Sequence, residues 1–67
     1  MLSENIKRIA EEKGITMYRV AKDGELSQSY VWELFHGIRQ NPSIDIIKKI
    51  SKILGVSVDE LIRWEVE

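Results

Sequence analysis

No cysteine occurs in this chain, which excludes a disulfide and a thiolate zinc site. A single histidine, His36, excludes a histidine cluster for a metal. No apolar run approaches the roughly 20 residues needed to span a membrane, and no signal-peptide pattern is present. Net charge is only −1, so no strong charge of one sign announces a partner. There is no glycine loop to cradle a phosphate and no nucleophile paired with a base, which argues against an enzyme. No cofactor or small-molecule ligand is implied. The lack of cysteine fits a cytoplasmic protein. The 67 residues are expected to form one domain. A chain this short buries only about 60% of its unfolded surface. Without disulfide or metal, oligomerisation is the remaining route to added stability.

Apolar spacing predicts five helices and no strand within the domain. Leu2, Ile6, Ile9 and Ala10 form the first helical stripe, with Ser3 as its expected N-cap and Gly14 just past its end. Thr16 caps a second helix over 16–22, and Ser27 caps a third over 27–36. Leu26 and Val31 then take the two positions of a hydrophobic staple. A loop over 37–42 contains the one proline, Pro42. Ser43 caps the fourth helix and Gly55 ends it. Its six isoleucines and leucines span an arc wide enough to make it the most buried helix. Ser57 and Glu60 form a capping box for a fifth helix containing Leu61 and Ile62. The last residues alternate apolar and charged (Ile62, Trp64, Val66), which suits either a frayed helix or a strand. The expected core is Ile6, Ile9, Val20, Ala21, Leu26, Val31, Leu34, Ile44, Ile47, Ile50, Leu54 and Leu61.

Residues 16–37 carry the functional signal. Two short helices joined by a turn with Gly24 follow the plan of a helix-turn-helix, whose second helix enters the major groove of duplex DNA. At 100° per residue, Tyr30, Val31 and Leu34 face the core. Gln28, Ser29, Trp32 and His36 face outward, with Glu33 at their edge. Glutamine can bind adenine through two hydrogen bonds, and Glu33 could accept from the amino group of cytosine. His36, at the helix end, suits a phosphate contact. A solvated helix rarely exposes a tryptophan, so Trp32 is expected to contact the preceding turn, DNA or a partner. Charge is uneven along the chain. Residues 43–54 carry a net +2 and residues 55–67 a net −3, so the C-terminal end should face away from phosphate.

In order along the chain stand Glu12-Lys13-Gly14, Thr16, Val20-Ala21, Leu26-Ser27, Gly37, Asn41-Pro42-Ser43, Leu54-Gly55-Val56-Ser57 and Asp59-Glu60-Leu61. This series resembles the Cro/cI-like (Xre) helix-turn-helix regulators over about residues 6–61. The resemblance implies an all-α, five-helix, lambda-repressor-like fold. It also implies a dimeric repressor that reads a palindromic operator in double-stranded DNA. Gln28, Ser29, Trp32 and Glu33 then become base-facing positions. Thr16, Met17, Ser27, His36, Arg39 and Asn41 become backbone-facing positions. Four departures stand out. Met17 replaces a phosphate-binding glutamine, and Ile38 replaces a common lysine or arginine. Glu25 stands where the family prefers the turn glycine. A left-handed Glu25 would cost about 1 kcal/mol relative to glycine, so the turn is expected to use Gly24 instead. Ala10 and Phe35 replace an arginine–glutamate pair, so Phe35 is expected to pack near Ala10.

Val56, Val58, Ile62, Trp64 and Val66 are apolar residues left over from the core. Related regulators pair through this region, which implies a homodimer built by residues 56–66 with Trp64 as anchor. Strand pairing of 62–67 across the axis, and Trp64 folding back on its own domain, are alternatives. A module of the same fold that binds protein and has lost most DNA affinity is the competing function.

Overall fold

A computed structural model describes residues 2–63, so Trp64 and Val66, and with them the alternating tail, lie outside the described residues. Five helices follow one another: α1 (Leu2–Lys13), α2 (Met17–Gly24), α3 (Gln28–Phe35), α4 (Ile44–Leu54) and α5 (Val58–Ile62). The described residues contain no strand. Helix α2 packs on α3 and α4; α1 packs on α3, α4 and α5, and α4 closes against α5. Among the described residues no helix is long and apolar enough to cross a membrane.

Four helix starts follow from hydroxyl caps. Thr16, Ser27, Ser43 and Ser57 each accept the backbone N–H three residues on, at 3.0–3.3 Å. Ser57 and Glu60 complete a reciprocal capping box. Each cap satisfies a donor that the helix cannot bond internally, a contribution of about 1 kcal/mol. Ser3 is not a cap. Helix α1 already begins at Leu2, so Ser3 lies in its first turn.

Helices α1 to α4 all end in the same way. A left-handed residue follows the helix, and the next N–H reaches back five residues: Ile15 to Ala10, Leu26 to Ala21, Ile38 to Glu33 and Val56 to Ser51. Three of the left-handed positions are glycines, and the fourth is Glu25 at φ 55°. The turn therefore does not use Gly24 for its left-handed residue. Gly24 serves close packing instead. A Cβ there would stand 3.2 Å from Ile53 Cδ1 and 3.3 Å from Leu26 Cδ1. Helix α4 thus approaches the end of α2 closely, and Lys49 Nζ donates to Gly24 O at 3.0 Å. Glu25 carries the left-handed strain, about 1 kcal/mol relative to glycine.

The core comprises Ile6, Ile9, Ala10, Val20, Ala21, Val31, Leu34, Phe35, Ile50, Leu54 and Leu61. Leu26 and Ile47 pack against it while half-buried. Ile44 is not a core residue; it is 56% exposed at the start of α4. Nor is α4 the most buried helix. Only Ile50, Ser51 and Leu54 are buried in it, against Asn5, Ile6, Ile9 and Ala10 in α1. In the first turn of α4, Ile46 and Ile47 pack against the core, so Ile44 is the isoleucine there that falls on the outer side. Asn5 is buried and polar, and it ties the two ends of the fold together. Its Nδ2 donates to Leu61 O at 3.1 Å and Arg63 O at 2.8 Å. The last carbonyls of α5 are so satisfied.

Ile50 has no solvent exposure and touches the centre of the fold. Ile50→Ala should cost about 2–5 kcal/mol. Chemical denaturation followed by circular dichroism measures it, and a loss below about 1 kcal/mol would contradict the core described here.

Candidate nucleic-acid interface

Helix α3 presents its outer face because Val31, Leu34 and Phe35 bury the other. Gln28, Ser29, Trp32 and Glu33 together line one shallow hollow on that outer face. Positions i, i+1, i+4 and i+5 of a helix share a face, so this grouping follows from the helical repeat. Ser27 and Thr16 cap α3 and α2 respectively. Each hydroxyl oxygen accepts a helix N–H, which leaves its own proton free to donate to an oxygen outside. The first N–H groups of these helices also lack internal partners, a favourable setting for an anion.

Trp32 is 47% exposed. It stacks on His36, four residues later, with ring centroids 4.0 Å apart and planes at 21°. His36 caps the end of α3, and its Nδ1 lies 2.8 Å from the Trp32 carbonyl oxygen. The indole is therefore braced from one side and open on the other. Arg39, in the loop after α3, donates from Nε to Glu33 Oε1 at 2.8 Å. Its guanidinium lies 5.0 Å from the centre of the Tyr30 ring. Asn41 is exposed in the same loop. Met17 is half-buried and packs against the core, so its side chain is turned partly inward.

Sequence reasoning missed two of these contacts. The Glu33–Arg39 pair spans six residues and a turn, so no helical spacing rule points to it. The Trp32–His36 stack does obey the i, i+4 rule and was legible in principle. The structure brings the base-facing set together on one surface. Of the apolar C-terminal set, only Val56, Val58 and Ile62 are among the described residues. Val56 packs against the core, Val58 is half-buried, and Ile62 is 44% exposed.

A groove of about 470 Å³ lies beside α2's first turn, lined among others by Ala10, Met17, Phe35 and His36. Phe35 is 5% exposed and Ala10 2%. Both line that groove and belong to the core, at the two positions where the family resemblance implies an arginine and a glutamate. Replacing both members of a buried ion pair by apolar groups avoids leaving one charge unpaired.

Two short helices crossing on a shared core, the second with a polar outer face, define a helix-turn-helix domain. A family model described as "Helix-turn-helix" matches residues 6–61, and the chain belongs to the Cro/cI-like (Xre) helix-turn-helix family of transcriptional regulators, a family of non-enzymes. It is 32% identical over 62 residues to the HTH-type transcriptional regulator SinR of Bacillus subtilis (strain 168), covering 92% of this chain and 56% of SinR. The chain thus spans little more than half the length of that relative. The solved N-terminal DNA binding domain of SinR from Bacillus subtilis superposes with a TM-score of 0.88 at 31% identity, covering 100% of this chain and 97% of that one. SinR in complex with DNA superposes at 0.86 with 32% identity, covering 92% and 98% respectively.

Phe35→Glu should place an unpaired carboxylate in the core and cost about 3–5 kcal/mol. Adding Ala10→Arg should restore much of that loss. Thermal unfolding of the two variants tests the pairing, and a double variant no more stable than Phe35→Glu would refute it.

Proposed function

We propose that this chain is a sequence-specific duplex-DNA-binding domain of a transcriptional regulator, with α3 as the recognition helix. The observation that carries the reading is the convergence of Gln28, Ser29 and Trp32 on one open face of a Ser27-capped helix. Such a face matches the width of the major groove, and its amide and hydroxyl groups match base edges. The likeness to a SinR structure solved with DNA supports the same partner here. Gln28 suits adenine, and the exposed face of Trp32 suits the methyl group of thymine. Thr16, Ser27, His36, Arg39 and Asn41, with the backbone N–H of Met17, contact phosphates and fix the register. A second reading, a protein-binding module of the same fold, draws on the exposed apolar residues Trp32, Ile38 and Ile44. A salt series separates the two, because counterion release makes DNA affinity fall steeply with salt.

Duplexes selected from a random pool supply the test sites. Gln28→Ala should remove about 1–3 kcal/mol of discrimination at one base pair. Arg39→Ala should weaken binding to every sequence, most on the selected duplex whose register it fixes, and reduce the salt slope by about one unit. Equal shifts for both variants on selected and random DNA would overturn this division of roles.

One helix-turn-helix covers few base pairs, so the proposed regulator acts as a dimer on a palindromic operator; its role as a repressor rests on the family resemblance. The pairing segment is 56–66, with Ile62 its exposed described member and Trp64 its anchor. The acidic tail, Glu65 and Glu67, opposes its twin, so pairing is weak without DNA. Sedimentation across a concentration range should give a dimer that Trp64→Ala shifts to monomer. A wild type that stays monomeric and binds a palindrome without cooperativity would refute the dimer.

A further inference from the structure

Glu33 holds Arg39 by both its side chain and its main chain. Oε1 of Glu33 accepts from Arg39 Nε at 2.8 Å. The Glu33 carbonyl accepts from the N–H of Ile38 at 2.9 Å and of Arg39 at 3.3 Å. Tyr30 adds a third restraint, its ring 5.0 Å below the guanidinium. Tyr30 and Glu33 are i and i+3 on α3, so they form one ridge, and Tyr30 is anchored by packing against the core. The loop arginine is thereby registered to the recognition helix. Arg39 is exposed and Glu33 half-buried, with water reaching both, so the pair itself adds little stability. Its effect is on orientation. A carboxylate on Nε leaves the terminal N–H groups of the guanidinium, whose planar fork can grip a phosphate through two parallel bonds. An arginine already held in place loses less side-chain entropy when it binds.

We propose that Glu33 is a positioning residue for DNA recognition: with Tyr30 it aims Arg39 at one backbone phosphate next to α3, fixing the register in which bases are read. The proposal rests on the reading of this chain as a duplex-DNA binder. It assigns Glu33 an action through Arg39 rather than through cytosine. The negative charge of Glu33 also lowers attraction to DNA of any sequence. Positioning therefore favours specificity over raw affinity.

Binding of wild type, Glu33→Ala, Tyr30→Leu, Arg39→Ala and Glu33→Ala/Arg39→Ala is measured on a selected duplex and a random one of equal length, over a salt series. Each variant is first checked for cooperative unfolding. Glu33→Ala should reduce the ratio of specific to random affinity about tenfold, the scale of a lost charge-assisted contact. It should leave binding to the random duplex equal or tighter. Tyr30→Leu should lower the ratio in the same direction. In the Arg39→Ala background, Glu33→Ala should change the ratio no further. Two results overturn the proposal. One is a Glu33→Ala loss that persists undiminished without Arg39 and is confined to one base pair, the mark of direct base reading. The other is a Glu33→Ala ratio equal to that of wild type. Glu33 is a surface position, so the outcome does not hinge on Tyr30→Leu folding. A wild type that binds no duplex in a salt-dependent way overturns the DNA reading itself, a result distinct from the others.

Discussion

Three residues between α2 and α3 set the geometry on which the interface depends. Glu25 takes the left-handed conformation that ends α2, Leu26 bonds back to Ala21 at 2.9 Å, and Ser27 caps α3 at once. Leu26 also packs against the core. No slack is left between the helices, so the direction of α3 is fixed relative to α2. The outward face of α3 then follows from which residues the core takes. A turn built from backbone bonds and one apolar anchor is rigid without disulfide or metal, which suits a chain that has no cysteine.

Strain and packing are coupled at this turn. A glycine at position 25 would relieve the left-handed backbone; the chain has Glu25 there and a glycine at position 24. There α4 comes too close for a Cβ to fit without displacement of Ile53 or Leu26. Lys49 reinforces the same junction by bonding the Gly24 carbonyl. The positive charge of Lys49 thus serves the end of α2, where the helix dipole favours a cation. Departures from the family pattern at Glu25, Ala10 and Phe35 belong to this kind of local exchange. Each changes the chemistry of a contact while keeping the fold.

On the proposed reading, the outer face of α3 mixes groups that would read bases with groups held in place by neighbours. Gln28 and Ser29 have polar ends suited to base edges, whereas Trp32 is braced by His36 and Glu33 is engaged by Arg39. Preorganisation of this kind reduces the ordering that binding requires. It also compensates for a surface that is poor in net positive charge. With Met17 and Ile38 in place of polar or basic residues, few side chains remain to supply nonspecific attraction.

The helices and their starts were legible because local rules decide them. Thr16, Ser27, Ser43 and Ser57 cap helices through bonds made within three residues, and the apolar repeat shows which face is buried. The grouping of Gln28, Ser29, Trp32 and Glu33 follows from the same repeat. Other features needed the tertiary structure. Ile44 is as apolar as Ile50, yet it is 56% exposed while Ile46 and Ile47 of the same turn pack against the core. Gly24 rather than Glu25 looked suited to the left-handed site until the approach of Ile53, 29 residues away, reserved it for packing. Asn5 carries no local signal of its bonds to Leu61 and Arg63. Glu33 and Arg39 meet only because the turn after α3 folds back. The sequence alone determined what each segment prefers by itself, since those preferences act over one or two helical turns. The fold decided which distant groups meet, since contacts such as Asn5 with Leu61 and Glu33 with Arg39 arise only once the chain folds back on itself.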